Sequence, residues 1–215
     1  MIVGIIDYGS GNIRSVQKSF ERAANLLEAD IKVITINTAI QLNSVDKIVL
    51  PGQGAFADCM KELKKIDNMI NCLNENVIKE KKIFLGICVG MQLLANESTE
   101  HGKNEGLSWI QGRVNKMQRD ARNYKIPHMG WNSVHYSDGS PLFKNIRREE
   151  DFYFVHSYEF ISDEKDNIIA TTNYGNEVVA AVKKNNVVGV QFHPEKSQNA
   201  GIQFIKNFLE WKYEQ

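Results

Sequence analysis

Apolar runs of strand length alternate with apolar residues at helical spacing through the first half of the chain, the pattern of successive βαβ units on a mostly parallel sheet. Ile2–Ile6 reads as the opening strand. After the turn Tyr8-Gly9-Ser10-Gly11-Asn12, residues Ile13, Val16, Phe20, Ala23 and Leu27 recur at steps of three and four, which predicts a helix with one buried stripe. Residues 31–36 and 47–50 read as further strands. Met60, Leu63, Ile66, Ile70, Leu73 and Val77 predict a single long amphipathic helix ahead of another strand over 82–85, and 89–95 reads as the helix after it. In the second half the runs shorten: 113–117, 152–156, 168–172, 178–182 and 187–192 read as strands, and a helix over 200–211 closes the chain. The expected class is α/β, a mostly parallel open sheet flanked by helices with additional strands in the C-terminal half.

Composition narrows this picture. A chain of 215 residues, 42% hydrophobic and 24% charged, is long enough to bury one sizeable core, so one domain over 1–215 is expected. Basic and acidic residues balance at 26 each, which argues against a broad electrostatic footprint for nucleic acid or an acidic membrane. The cysteines Cys59, Cys72 and Cys88 are odd in number and unpatterned, as suits a reduced compartment. The first residues lack a basic leader and no run of about 18 apolar residues occurs, so a cytoplasmic location is expected.

Two strand ends carry chemistry. Gly86-Ile87-Cys88-Val89-Gly90 follows an apolar run as G-x-C-x-G, the thiol form of the strained elbow that exposes a nucleophile above an α/β sheet. His193-Pro194-Glu195 follows the run 187–192. A thiol attacks as its thiolate and needs a base in reach, which His193 supplies, while Glu195 can hold the imidazole from its far side. A cysteine after a buried strand is usually a core thiol, and a histidine beside proline is usually a loop residue. Their occurrence together at strand ends, in the order nucleophile, base, carboxylate, favours catalysis. Pro51-Gly52-Gln53-Gly54 lies at a third strand end, where glycines let backbone N–H groups approach a tetrahedral oxyanion, although the same tetrapeptide also suits a plain βα turn. Gly9-Ser10-Gly11 is not a dinucleotide fingerprint, because Arg14 occupies the place of the third glycine.

With Leu-Gly-Ile-Cys-Val-Gly-Met-Gln-Leu-Leu at 85–94 and Gln-Phe-His-Pro-Glu at 191–195, the chain resembles the class I (triad) glutamine amidotransferases over essentially its whole length. Within them it is most similar to the glutaminase subunits of imidazole glycerol phosphate synthases of histidine biosynthesis. That closer likeness rests on 2–12, on Lys-Ile-Pro-His-Met-Gly-Trp-Asn at 125–132, on 152–158 and on 193–197. The resemblance implies a flavodoxin-like sheet, with Cys88 as nucleophile, His193 as base and acid, and Glu195 as orienter. It implies oxyanion donors at Val89 and in the Gly52-Gln53 segment, and glutamine contacts at Gln92, Glu100, Ser157 and Tyr158. It also implies a docking face and ammonia exit at Asn12, Met129, Trp131, Asn132, Tyr153 and Lys196, the 125–132 stretch being taken as a loop. The implied partner is a (β/α)8-barrel cyclase subunit in a heterodimer, which would receive the ammonia. No cofactor and no metal are implied, and the spacing of His128 and His156 matches no closed zinc site. A paralogous glutaminase serving amino-sugar or surface-glycan synthesis, a stand-alone cysteine amidase, and a non-enzymatic scaffold remain alternatives, the last disfavoured by the presence of all three triad residues.

Overall fold

The sheet is built outward from strands buried on both faces. In the computed structural model, which describes residues 1–120 and 123–213, the first four strands are β1 (Ile2–Ile6), β2 (Lys32–Ile36), β3 (Lys47–Gly52) and β4 (Ile83–Cys88). They are followed by β5 (Glu97–Ser98), β6 (Asn104–Glu105), β7 (Gly112–Lys116), β8 (His128–Ser133), β9 (His135–Tyr136) and β10 (Asp151–His156). The last four are β11 (Tyr158–Ser162), β12 (Ile168–Tyr174), β13 (Asn176–Lys184) and β14 (Val187–Val190). The main sheet runs β2-β1-β3-β4-β14-β13-β12-β9. Its first five strands are parallel and its last three pairings antiparallel, so the expected α/β class holds. β3 and β14 are buried at every residue, as helices on both faces require.

Helix α1 (Ile13–Leu26) buries Val16, Phe20 and Ala23 as its stripe predicts, and Asn12 caps it by accepting a hydrogen bond from Ser15 N at 3.2 Å. Phe20 meets Phe208 of α5 (Gln198–Glu210) edge-on at 6.1 Å. Lys47, at the start of β3, donates to the carbonyls of Phe208, Leu209 and Trp211 at 2.6–2.8 Å, placing a cation on the end of α5. Burial lowers that ammonium to about 8.

Three expectations change. The long helix is broken into α2 (Phe56–Lys65) and α3 (Met69–Leu73), followed by a π-helical turn over Asn74–Lys79. Ile66 is extended and Asn68 left-handed at φ 55°, a conformation asparagine tolerates, while Leu63, Leu73 and Val77 still point inward. The apolar stripe therefore runs through the break and hides it. The helix expected over 89–95 is a single turn, α4 (Val89–Gln92), because Leu94 and Ala95 bond three residues back to Met91 and Gln92. Finally, the 125–132 stretch is not all loop: β8 begins at His128 and, among the described residues, pairs antiparallel with β10 alone, His128 opposite His156 and Trp131 opposite Tyr153.

Candidate active site

Parallel strands β3, β4 and β14 end together, and their ends carry the site. Cys88 closes β4 opposite Gly52 of β3 and turns into α4 at φ 55°, ψ −111°, a strained geometry for a residue with a Cβ. Two glycines let the elbow pack this tightly. A Cβ on Gly90 would lie 1.9 Å from the Leu50 carbonyl oxygen, and one on Gly86 would lie 2.4 Å from that of Gly90. A four-residue helix supplies little dipole. The near neighbours of the thiol are instead the Gln191 amide, whose Nε2 donates towards Sγ at 3.7 Å, and the Val155 backbone carbonyl, which accepts from Sγ at 3.9 Å.

His193 is reached three residues beyond β14. Its backbone N–H bonds the Tyr153 carbonyl at 2.9 Å, and its own carbonyl accepts from Ser197 Oγ at 2.6 Å. Its Nδ1 meets Glu195 Oε1 at 2.8 Å, both side chains being buried. Nε2 has no hydrogen-bond partner among the described residues, which leaves it available for proton transfer in the cavity it shares with Cys88. Burial pushes this imidazole down, but the charge and hydrogen-bonding capacity of Cys88, followed by those of Glu195, outweigh it and raise His193 to about 10.

The cavity, of about 260 Å³, is lined by Cys88 and His193 together with Gln53, Gly54, Val89, Gln92, Glu100, Ser157 and Tyr158. Every catalytic, oxyanion and glutamine position expected from sequence lies on this cavity except Glu195, which stands behind His193, and Gly52, which pairs with Cys88. Glu100 has one oxygen committed, accepting from Phe56 N at 2.7 Å at the start of α2. Gln92 Nε2 donates to the Tyr158 carbonyl at 3.1 Å and to Gln191 Oε1 at 3.0 Å, which leaves its Oε1 as the amide atom with no hydrogen bond among the described residues.

Beside the cavity, β8 turns apolar side chains outward: Met129 is 65% exposed and Trp131 48%. Trp131 packs edge-on against Tyr153 at 5.9 Å, and Lys196 Nζ lies 5.7 Å from the Tyr153 ring centre, so three of the expected docking residues form one patch. Asn132 points back into the protein, donating to the Asn173 carbonyl at 2.9 Å. Asn12 is exposed in the loop whose Gly11 abuts Pro51 and Gly52, beside the glycine-rich segment rather than on the β8 patch.

Sequence reasoning left Gln191, His128 and His156 without roles. His156 lines the cavity and, like His128, is buried. Burial lowers His156 to about 3, against the opposing hydrogen bond to the Tyr158 carbonyl, and burial with the nearby Arg119 guanidinium lowers His128 to about 4. Both are neutral at neutral pH. The signal that could have found them is their shared alternation on two paired strands, which needs the register to be seen.

The Glutamine amidotransferase class-I family matches residues 5–211. The chain is 46% identical to the imidazole glycerol phosphate synthase subunit HisH of Brucella melitensis, with 99% of this chain and 100% of that protein covered. It is 43% identical to the subunit of the same name from Pelagibacter ubique, with 97% and 99% covered. Among solved structures, a glutamine amidotransferase superposes with a TM-score of 0.72 at 16% identity over 98% of each chain. A glutamine amidotransferase from Thermotoga maritima superposes with a TM-score of 0.60 at 19% identity over 98% of this chain and 83% of the other. These two likenesses speak for the fold.

Proposed function

The chain belongs to the class I glutamine amidotransferases, and from that premise we propose that it is the glutaminase subunit of an imidazole glycerol phosphate synthase, acting in histidine biosynthesis. The observation that carries this reading is the convergence of Cys88 and His193 on one cavity, with Glu195 behind His193, in a chain that matches HisH subunits from end to end. On this reading residues 1–215 act as one amidotransferase domain, in the cytoplasm; no helix among the described residues is long and apolar enough to cross a membrane.

The Cys88 thiolate attacks the side-chain amide carbon of L-glutamine, and the tetrahedral oxyanion is met by the backbone N–H of Val89 and one from the Gly52-Gln53 segment. His193, held through Nδ1 by Glu195, delivers its Nε2 proton to the leaving amine, and ammonia departs as the glutamyl thioester forms. The same Nε2 then takes a proton from water, which cleaves the thioester to glutamate and restores the thiolate–imidazolium pair. Ammonia released into water at neutral pH would be protonated and lost as a nucleophile, so it passes to a (β/α)8-barrel cyclase subunit seated on the Met129, Trp131, Tyr153 and Lys196 patch, forming a heterodimer. An exposed tryptophan packed on a half-buried tyrosine beside a cation is the composition of an interface anchor.

The test is glutamate release from glutamine by the purified chain, with and without the cyclase and the ribonucleotide that the cyclase binds. The expected result is slow release alone and a rise of about 100-fold or more when both are present, the scale of completing one oxyanion donor. Fast release by the chain alone, unchanged by the cyclase, would remove the subunit reading in favour of an independent amidase.

A further inference from the structure

One hydrogen-bonded chain runs from strand β8 to the thiol of Cys88, and its polarity is fixed at every step. The Tyr158 carbonyl can only accept, so His156 carries its proton on Nδ1, 2.9 Å away. His156 Nε2 is then an acceptor, and His128 Nδ1, also at 2.9 Å, is the donor. That leaves His128 Nε2 to accept from Asn132 Nδ2 at 3.2 Å, while the other Nδ2 proton goes to the Asn173 carbonyl and Asn132 Oδ1 accepts from Ser133 N. From the other side, Gln92 Nε2 donates to the same Tyr158 carbonyl and to Gln191 Oε1, which turns Gln191 Nε2 towards Cys88 Sγ.

We infer that His128 and His156 are positioning residues, a neutral two-imidazole relay that sets the Tyr158 carbonyl and the Gln92 amide around Cys88 and makes that setting respond to whatever docks on β8. This deepens the proposed function and rests on it, since the docking partner is the cyclase. Three observations support the coupling. Among the described residues β8 pairs with β10 alone, so the strand that presents Met129 and Trp131 to a partner is braced on one side by a ladder and on the other by side-chain contacts to β12, from Asn132 to the Asn173 carbonyl and from Thr172 to the Ser133 carbonyl. The His128 ring is stacked between Phe154 at 4.7 Å and Tyr174 at 4.1 Å, which fixes its plane and leaves its two nitrogens to transmit any shift of the strand. The far end of the relay bears on the cavity itself, because Gln92, His156 and Tyr158 all line it. With both of its N–H groups drawn inward, Gln92 presents Oε1, an acceptor suited to an ammonium or amide N–H of the substrate.

The experiment compares wild type, His128→Phe and His128→Gln in glutamate release at saturating cyclase and ribonucleotide, with partner affinity measured in parallel. Phenylalanine keeps the stacked ring and loses both hydrogen bonds; glutamine keeps a donor and an acceptor. The expected result is that stimulation of kcat/KM by the partner falls about tenfold or more in His128→Phe and returns to within about threefold of wild type in His128→Gln, with partner affinity little changed in either, as expected for loss and repair of a buried hydrogen bond. Full stimulation in His128→Phe, or equal impairment in both variants, would overturn the relay. If His128→Phe does not fold, Asn132→Ala, a half-exposed substitution at the outer end, is read in the same way at saturating partner. A wild-type protein that ignores the cyclase would instead overturn the proposed function and the relay with it, an outcome visible in the control alone.

Discussion

Two groups of buried histidines serve one site, and they differ in charge: one is cationic and the other neutral. His193 faces Cys88 and Glu195 and is raised to about 10; His128 and His156 face carbonyls, an amide and each other and are lowered to about 4 and about 3. Burial acts downward on all three. The sign is decided by whether an anion is within reach, so the same residue type serves as a charged acid–base beside the thiol and as an uncharged hydrogen-bond conductor away from it.

Removing the anion should break this contrast most completely. Cys88→Ala is expected to abolish glutamine hydrolysis by at least about 1,000-fold while sparing ammonia-driven synthesis by the partner. In the same variant the His193 midpoint, followed by NMR, should fall, because burial is then opposed by Glu195 without Cys88. Glu195→Ala is the next largest change. It frees Nδ1 and lets the imidazole turn, and a loss in kcat of about 100-fold at constant partner affinity is expected from glutamate-release kinetics. The smallest effect concerns stability. A histidine lowered in the native state keeps its stabilising contribution above about pH 6.5 and loses it as pH falls towards 4, since the unfolded chain takes up protons first. A raised one contributes fully below about pH 6.5 and loses that as pH climbs towards 10. Denaturant titrations across pH should therefore show His128→Phe flattening the acid limb and Cys88→Ala flattening the alkaline one; equal flattening of both limbs by either variant would contradict the assignment.

What could be read from sequence was local. Cys88, His193 and Glu195 each sit within a few residues of a strand end, and strand, turn and chemistry appear in one short stretch of text. The break at Ile66-Asp67-Asn68 was hidden because the inward apolar positions continue in phase across it. β8 was hidden for the reverse reason: its His128 is inside and its Met129 and Trp131 outside, so alternation reads backwards, and Gly130 at φ 134° interrupts it. The relay lies further still from view, because His128 and His156 become neighbours only through the β8–β10 register.

The elbow at Cys88 also implies a hierarchy among inactive forms of this protein. A side chain held at φ 55°, ψ −111° is under strain that alanine at the same position inherits and glycine does not. Cys88→Gly should therefore withstand more denaturant than Cys88→Ala, by about 1 kcal/mol, reversing the usual ranking of the two residues. For a lineage released from the need to hydrolyse glutamine, the most stable exit is thus a silent glycine at the nucleophile position, and the retained cysteine marks a protein kept away from its own stability optimum by its chemistry.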